Sequence, residues 1–200
     1  MWEALLHPGF TLVDAPDAMQ ADLVQGLVHE ALRAFPGDVL VYDSSHAFQP
    51  DSFAMENRRH GRPPAEHARR CLVQRCLTPF QWDTQLSKGL DRMLEQRSLG
   101  PVVAFPYGRL FATDELADWE RIDHLEFSLA HLRRRGEGVP IVAVTDLTAL
   151  AADQPVLAHA MRTGVPRLAT VRRTRGVWAL SGGPVPAAHK PFEPAAGVAA

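Results

Sequence analysis

Cysteine is almost absent from this chain. Cys71 and Cys76 are the only two in 200 residues, too few for a disulfide framework and compatible with a reducing compartment. No apolar run approaches the roughly 20 residues that cross a bilayer, so neither a membrane span nor a membrane partner is expected. The opening MWEALLHPGF lacks the basic start and apolar block of a secretion signal, and the cytoplasm is the expected location. An excess of one charge is missing too. With 21 Lys and Arg against 23 Asp and Glu, the net charge is -2. The whole molecule is therefore no magnet for nucleic acid, and any DNA contact must come from a local patch. No internal repeat is visible.

What is present suits one folded domain. Hydrophobic residues make up 46% and charged residues 22%, ordinary for a globular chain and inconsistent with a largely disordered one. The length allows a single well-buried domain, expected over residues 1–181, with a flexible tail rich in Pro, Ala and Gly over 182–200.

Residues 10–13 read as a buried strand running into Asp14-Ala15-Pro16-Asp17, with Asp17 as a helix N-cap. Leu23, Val24, Leu27, Val28, Ala31, Leu32 and Phe35 then recur at helical spacing until Pro36-Gly37 stops them. Residues 39–42 form a second strand, continuous rather than alternating, as in a parallel sheet covered on both faces. A polar stretch over 51–70 has room for one or two short helices. Residues 71–75 give a third strand, and Thr78-Pro79-Phe80-Gln81 opens a helix with Thr as cap, Pro in the first turn and Gln in the capping-box position. A fourth strand over 102–105, a long helix over 114–135 with Gly136 as C-cap, and a fifth strand over 139–144 follow. Residues 167–172 and 177–181 flank a turn and read as an antiparallel hairpin. Alternating strands and helices predict an α/β sheet with helices on both faces, its function sought in the loops after strands one, two, four and five.

The segment Val41-Tyr42-Asp43-Ser44-Ser45-His46-Ala47-Phe48-Gln49-Pro50 is similar to the second-strand segment of the RecA/RadA recombinases, with Asp43, Phe48 and Pro50 matching. Val73-Gln74-Arg75-Cys76-Leu77-Thr78-Pro79-Phe80-Gln81 resembles that family's third strand, with its Arg, its Thr cap and a following Gln. Ala158-His159-Ala160, Arg167-Leu168 and residues 172–176 resemble the region before and within its last hairpin. The shared order and spacing cover residues 10–181. The resemblance implies a RecA-like three-layer α/β/α sandwich, its mostly parallel sheet ending in an antiparallel hairpin.

The nucleotide-site positions depart from the family. A phosphate loop after strand one needs glycines, a lysine and a hydroxyl. Here Asp14 and Met19 stand where the glycines belong, Gln20 replaces the lysine and Ala21 the hydroxyl. Asp14 and Asp17 would repel a triphosphate. The magnesium-side Asp at the end of strand four falls at Phe105 or Pro106. The catalytic acid after strand two is Ser45, and some polarity survives at Thr145-Asp146, where strand five ends. Four separate losses imply a degenerate ATPase with no catalytic residues, cofactor or metal. On this reading the chain is a non-catalytic accessory or regulatory protein of DNA repair or recombination, working through a protein partner from that machinery. Arg167, Arg172, Arg173 and Arg175 are the candidate DNA contacts, because no acid occurs between Ala158 and Ala188. By the resemblance, a loop over 147–166 faces the DNA axis. The alternatives are an interaction module without a DNA role and an ATPase with an unorthodox site.

Other chemistry reads as structural. His60, His67, Cys71 and Cys76 fit no compact zinc spacing, and strand alternation sends the two thiols to opposite faces. Ser44-Ser45-His46 reads as a loop cap, and Asp43, Asp114 and Asp146 as helix caps rather than a metal-dependent nuclease site. Trp2, Trp82, Trp119 and Trp178 are expected as core or interface anchors. Arg69, Arg70 and Arg75, like Arg133, Arg134 and Arg135, read as solvated faces.

Overall fold

A strand that is apolar at every position needs cover on both faces, which a parallel sheet between helical layers supplies. The computed structural model describes residues 2–59, 68–174 and 177–182. In it β1 (Gly9–Asp14), β2 (Asp38–Asp43), β3 (Cys71–Arg75), β4 (Leu99–Phe105), β5 (Pro140–Thr145), β6 (Leu168–Thr174) and β7 (Val177–Ser181) form one sheet ordered β3-β2-β4-β5-β1-β6-β7. Every neighbouring pair is parallel except β6 with β7. The chain is thus α/β, with a mostly parallel seven-stranded sheet and one antiparallel pair at its C-terminal end.

Period-two alternation divides the core between two layers. Along β4, Val102 and Ala104 face one layer while Val103 and Phe105 face the other, and β5 repeats this with Ile141 and Ala143 against Val142 and Val144. One layer holds α1 (Trp2–Leu5), α2 (Asp17–Ala34) and α3 (Pro50–Arg59). The other holds α4 (Pro79–Thr84), a π-helical turn over Gln85–Leu90, α5 (Asp91–Gln96), α6 (Asp118–Gly136), α7 (Leu147–Asp153) and α8 (Pro155–Gly164). The chain travels from β1 to the β3 edge over the first layer and returns through β4, β5 and β6 over the second. Reversing direction while changing layers keeps all five crossovers the same hand, as twisted parallel strands require. Between β2 and β4 the register shifts, so that Asp38 pairs with Leu99 but Leu40 with Val102. The extra residue sits at Gly100-Pro101, where proline has no N–H to give the ladder.

Several local expectations change. Asp17 is the first residue of α2 rather than its cap, and Pro16 takes the cap position without a side-chain bond. Thr78 does cap α4, accepting from Gln81 N at 3.2 Å, but the Gln81 side chain reaches back to Leu77 N at 2.9 Å. The long helix starts at Asp118 instead of 114, because the Glu120 carboxylate accepts from Ala117 N at 2.9 Å and defines the end there. Residues 147–166 are not one loop: α7 and α8 cover 147–153 and 155–164, burying Leu147, Leu150, Leu157 and Met161. Arg70 is not a solvated arginine. Its guanidinium gathers the carbonyls of Leu32 and Phe35, at the open end of α2, and of Gly37 in the turn that follows. No helix among the described residues is long and apolar enough to cross a membrane. Nearly all of the expected tail, residues 183–200, lies outside the described residues.

One polar contact is sealed inside the α6 layer. The Trp82 indole N–H donates to Ser128 Oγ at 2.7 Å, and the Tyr107 hydroxyl shares a hydrogen bond of the same length with that oxygen. Ser128→Ala should therefore strand two buried polar groups and lower unfolding free energy by at least about 1–3 kcal/mol. Urea denaturation with an unchanged m-value would register this as a shifted midpoint.

Candidate functional site

β1 and β5 lie side by side, yet β1 continues into α2 on one layer and β5 into α7 on the other. Their outgoing loops separate and open a crevice at the carboxyl ends, the usual ligand position in such sheets. Here the chain fills that crevice with its own side chains.

Asp14, ending β1, accepts from Leu147 N at 2.9 Å, the first residue of α7. Asp146, just past β5, accepts from Asp17 N at 3.1 Å, the first residue of α2, and from Ala149 N at 2.8 Å in its own helix. Each strand end thus supplies a carboxylate to the helix that follows its neighbour. A helix N-terminus presents free N–H groups and a positive dipole end that would otherwise attract an external anion. Gln20, buried in the first turn of α2, donates through Nε2 to Ala15 O and Asp17 Oδ1, both at 3.0 Å. Arg109 forms an ion pair with Asp17 from the loop after β4.

The same loop closes down on β5. Tyr107 N donates to Val144 O at 2.7 Å and Gly108 N to Thr145 Oγ1 at 3.0 Å. A Cβ on Gly108 would stand 2.2 Å from that Oγ1, so only glycine permits this approach. Between β2 and β4, Ser44 Oγ donates to Pro106 O at 2.9 Å. Phe105, joined to Pro106 by a cis peptide, is buried in the core. A small void beneath this edge, lined by Tyr42, Cys76, Trp82 and Tyr107 among others, measures about 10 Å³, room for about one water molecule. A larger open recess of about 660 Å³ lies at the opposite, amino end of β1, against Phe10, Arg133, Gly136 and Pro166.

The remaining positions have structural partners. Asp43 is fully buried, its carboxylate accepting the N–H groups of Ser45, Ala47 and Phe48 at 3.0 to 3.2 Å and the Ser45 hydroxyl at 3.3 Å. It organises a turn in which His46 takes a left-handed φ of 58°. Ser45 is exposed with its hydroxyl turned back to Asp43, while Met19 and Ala21 are half-buried in α2. Asp114 is exposed near Arg121, and among the described residues no three His, Cys, Asp or Glu side chains converge as metal ligands. His60 and His67 lie outside the described residues. Cys71 packs against the α2 layer and Cys76 sits in the other. Burial pushes their thiols up to about 12 and about 11, away from the thiolate that nucleophilic or metal chemistry needs.

The arginines at the other end of the sheet divide. Arg167 is half-buried and donates to Pro8 O at 3.1 Å, at the entrance to β1. Burial lowers its guanidinium pKa. Arg172 is exposed on β6, opposite Ala179, and Arg173 occupies the next position, opposite Trp178. Arg175 lies outside the described residues. Sequence reasoning passed over Arg109 and misread Arg70 as solvated, because an arginine carries no local signal of which distant carboxylate or carbonyl it meets.

A scan against protein-family models matched none, and a search of curated proteins found no match. The strand-end geometry is therefore the ground on which function is argued. It also predicts the effect of breaking the exchange. Asp146→Ala removes the cap of α7 and the acceptor for Asp17 N, and should cost about 1–3 kcal/mol in chemical denaturation. Asp146→Asn keeps a capping oxygen and should lose less.

Proposed function

We propose that this chain is a RecA/RadA-like core without nucleotide chemistry, serving as a non-catalytic accessory or regulatory protein in DNA repair or recombination. The observation that carries the reading is the self-filled crevice. Asp14 and Asp146 occupy the helix ends where phosphates would be held, Gln20 is turned into the protein, and Phe105 is buried where a metal-side carboxylate is needed. The parallel sheet closing on an antiparallel pair agrees with a RecA-like core. A protein of this kind acts by occupying a partner rather than by turning over a substrate, and the partner belongs to the same repair or recombination machinery.

DNA contact is assigned to Arg172, Arg173 and Arg175 on the terminal hairpin. Arg167 contributes least, because its guanidinium is committed to backbone carbonyls. That commitment is also the observation favouring a second reading, an interaction module with no DNA role. A low-salt gel shift with single- and double-stranded DNA separates the two. Under the first, Arg172→Ala, Arg173→Ala and Arg175→Ala combined should flatten the salt dependence by up to about three units of log-log slope. Unchanged affinity and slope would remove DNA from the hairpin, and no binding by the wild type would favour the module. Titration calorimetry with Mg-ATP should give no binding, and a micromolar affinity would overturn the pseudo-enzyme reading.

A further inference from the structure

The outward face of α6 leaves charges and aromatics exposed. Trp119, Asp123, Phe127, Ala130 and Arg134 are exposed and follow one another at three- and four-residue steps, which puts them along one side of the helix. Trp119 is 67% exposed and Phe127 43%. Phe80, from α4, stands edge-on to His124 with ring centres 4.8 Å apart and widens the apolar strip. Large apolar groups collected on one surface mark a contact site more often than scattered ones do.

Four of the charges on this face are sorted by position, while Glu137, exposed at the helix end, follows Arg133 and Arg134. Asp123 and Glu126 lie toward the N-terminus, Arg133 and Arg134 toward the C-terminus, and all four are exposed. Neither acid has a cation three or four residues away. Among the described residues none of the four forms an ion pair; Arg133 donates to Leu129 O and Arg134 meets His131 Nδ1. Acids early and bases late suit the helix dipole. The dipole does not explain the exposed aromatics among them.

A second copy of the same helix, turned antiparallel, answers both features. A two-fold axis level with residues 128 and 129 leaves Asp123 about 8 Å to one side and Arg134 about 8 Å to the other, at 1.5 Å rise per residue. Asp123 and Glu126 of each helix then meet Arg134 and Arg133 of its mate. Phe127 comes opposite Ala130, whose small side chain lets the axes approach to about 8 Å. The contact is self-complementary, as an isologous interface must be.

We propose that α6 mediates a symmetric antiparallel dimer of this chain, with Phe127 and Ala130 at its centre and Asp123, Glu126, Arg133 and Arg134 as its charge pairs. The proposal stands independently of any DNA role. Sedimentation equilibrium of the full chain should find a dimer at low salt that weakens as salt rises. Asp123→Arg with Glu126→Arg, or Arg133→Asp with Arg134→Asp, should each weaken it about tenfold or more. The two variants should associate when mixed, because their faces are then of opposite charge. Ala130→Arg, at an exposed position, should abolish the dimer with helicity retained by circular dichroism. A wild-type monomer at low salt, a dimer indifferent to the reversals, or mixed variants that stay apart would each overturn the proposal.

Discussion

Two carboxylates exchanged between adjacent strands hold the carboxyl edge of this sheet together. Asp14 leaves β1 to satisfy the start of α7, and Asp146 leaves β5 to satisfy the start of α2. The exchange ties two loops that depart to opposite layers and would otherwise spread. A carboxylate tethered to the chain and already positioned loses little freedom in binding a helix end, whereas a free anion must give up its own. An external phosphate would have to displace these groups and then sit among their charges.

The rest of the edge follows from that closure. Gln20 can be buried because Ala15 O and Asp17 give its amide partners. The loop after β4 can lie flat on β5 because Gly108 brings no side chain against Thr145. Below it, Trp82, Tyr107 and Ser128 share one hydrogen-bonded cluster that anchors α4 and α6 to each other. The result is an internally satisfied surface, in contrast to the outer face of α6 and the exposed Arg172 on the terminal hairpin.

Much of the framework was legible in order. Continuous apolar strands, the Thr78 cap and the long periodic helices carry strong local signals, and all of them appear near their expected positions. The segment over 147–166 was harder. Leu147, Leu150, Leu157 and Met161 have helical spacing, but Asp153-Gln154-Pro155 breaks it into two short helices, which a continuous pattern does not reveal. Asp146 was legible as a surviving polar residue, yet its service to α2, 129 positions away, was not.

Composition and periodicity by themselves determined the α/β class, the parallel strands and the terminal antiparallel pair. These depend on side-chain type and near-neighbour spacing, which the linear chain states outright. Only the tertiary structure decided that Asp14 and Asp146 trade helix ends, that Arg70 closes α2, and that Trp119 and Phe127 remain in solvent. Those outcomes depend on which loops and layers the crossovers bring together, and hydrogen bonding and burial are settled there, between residues far apart in sequence.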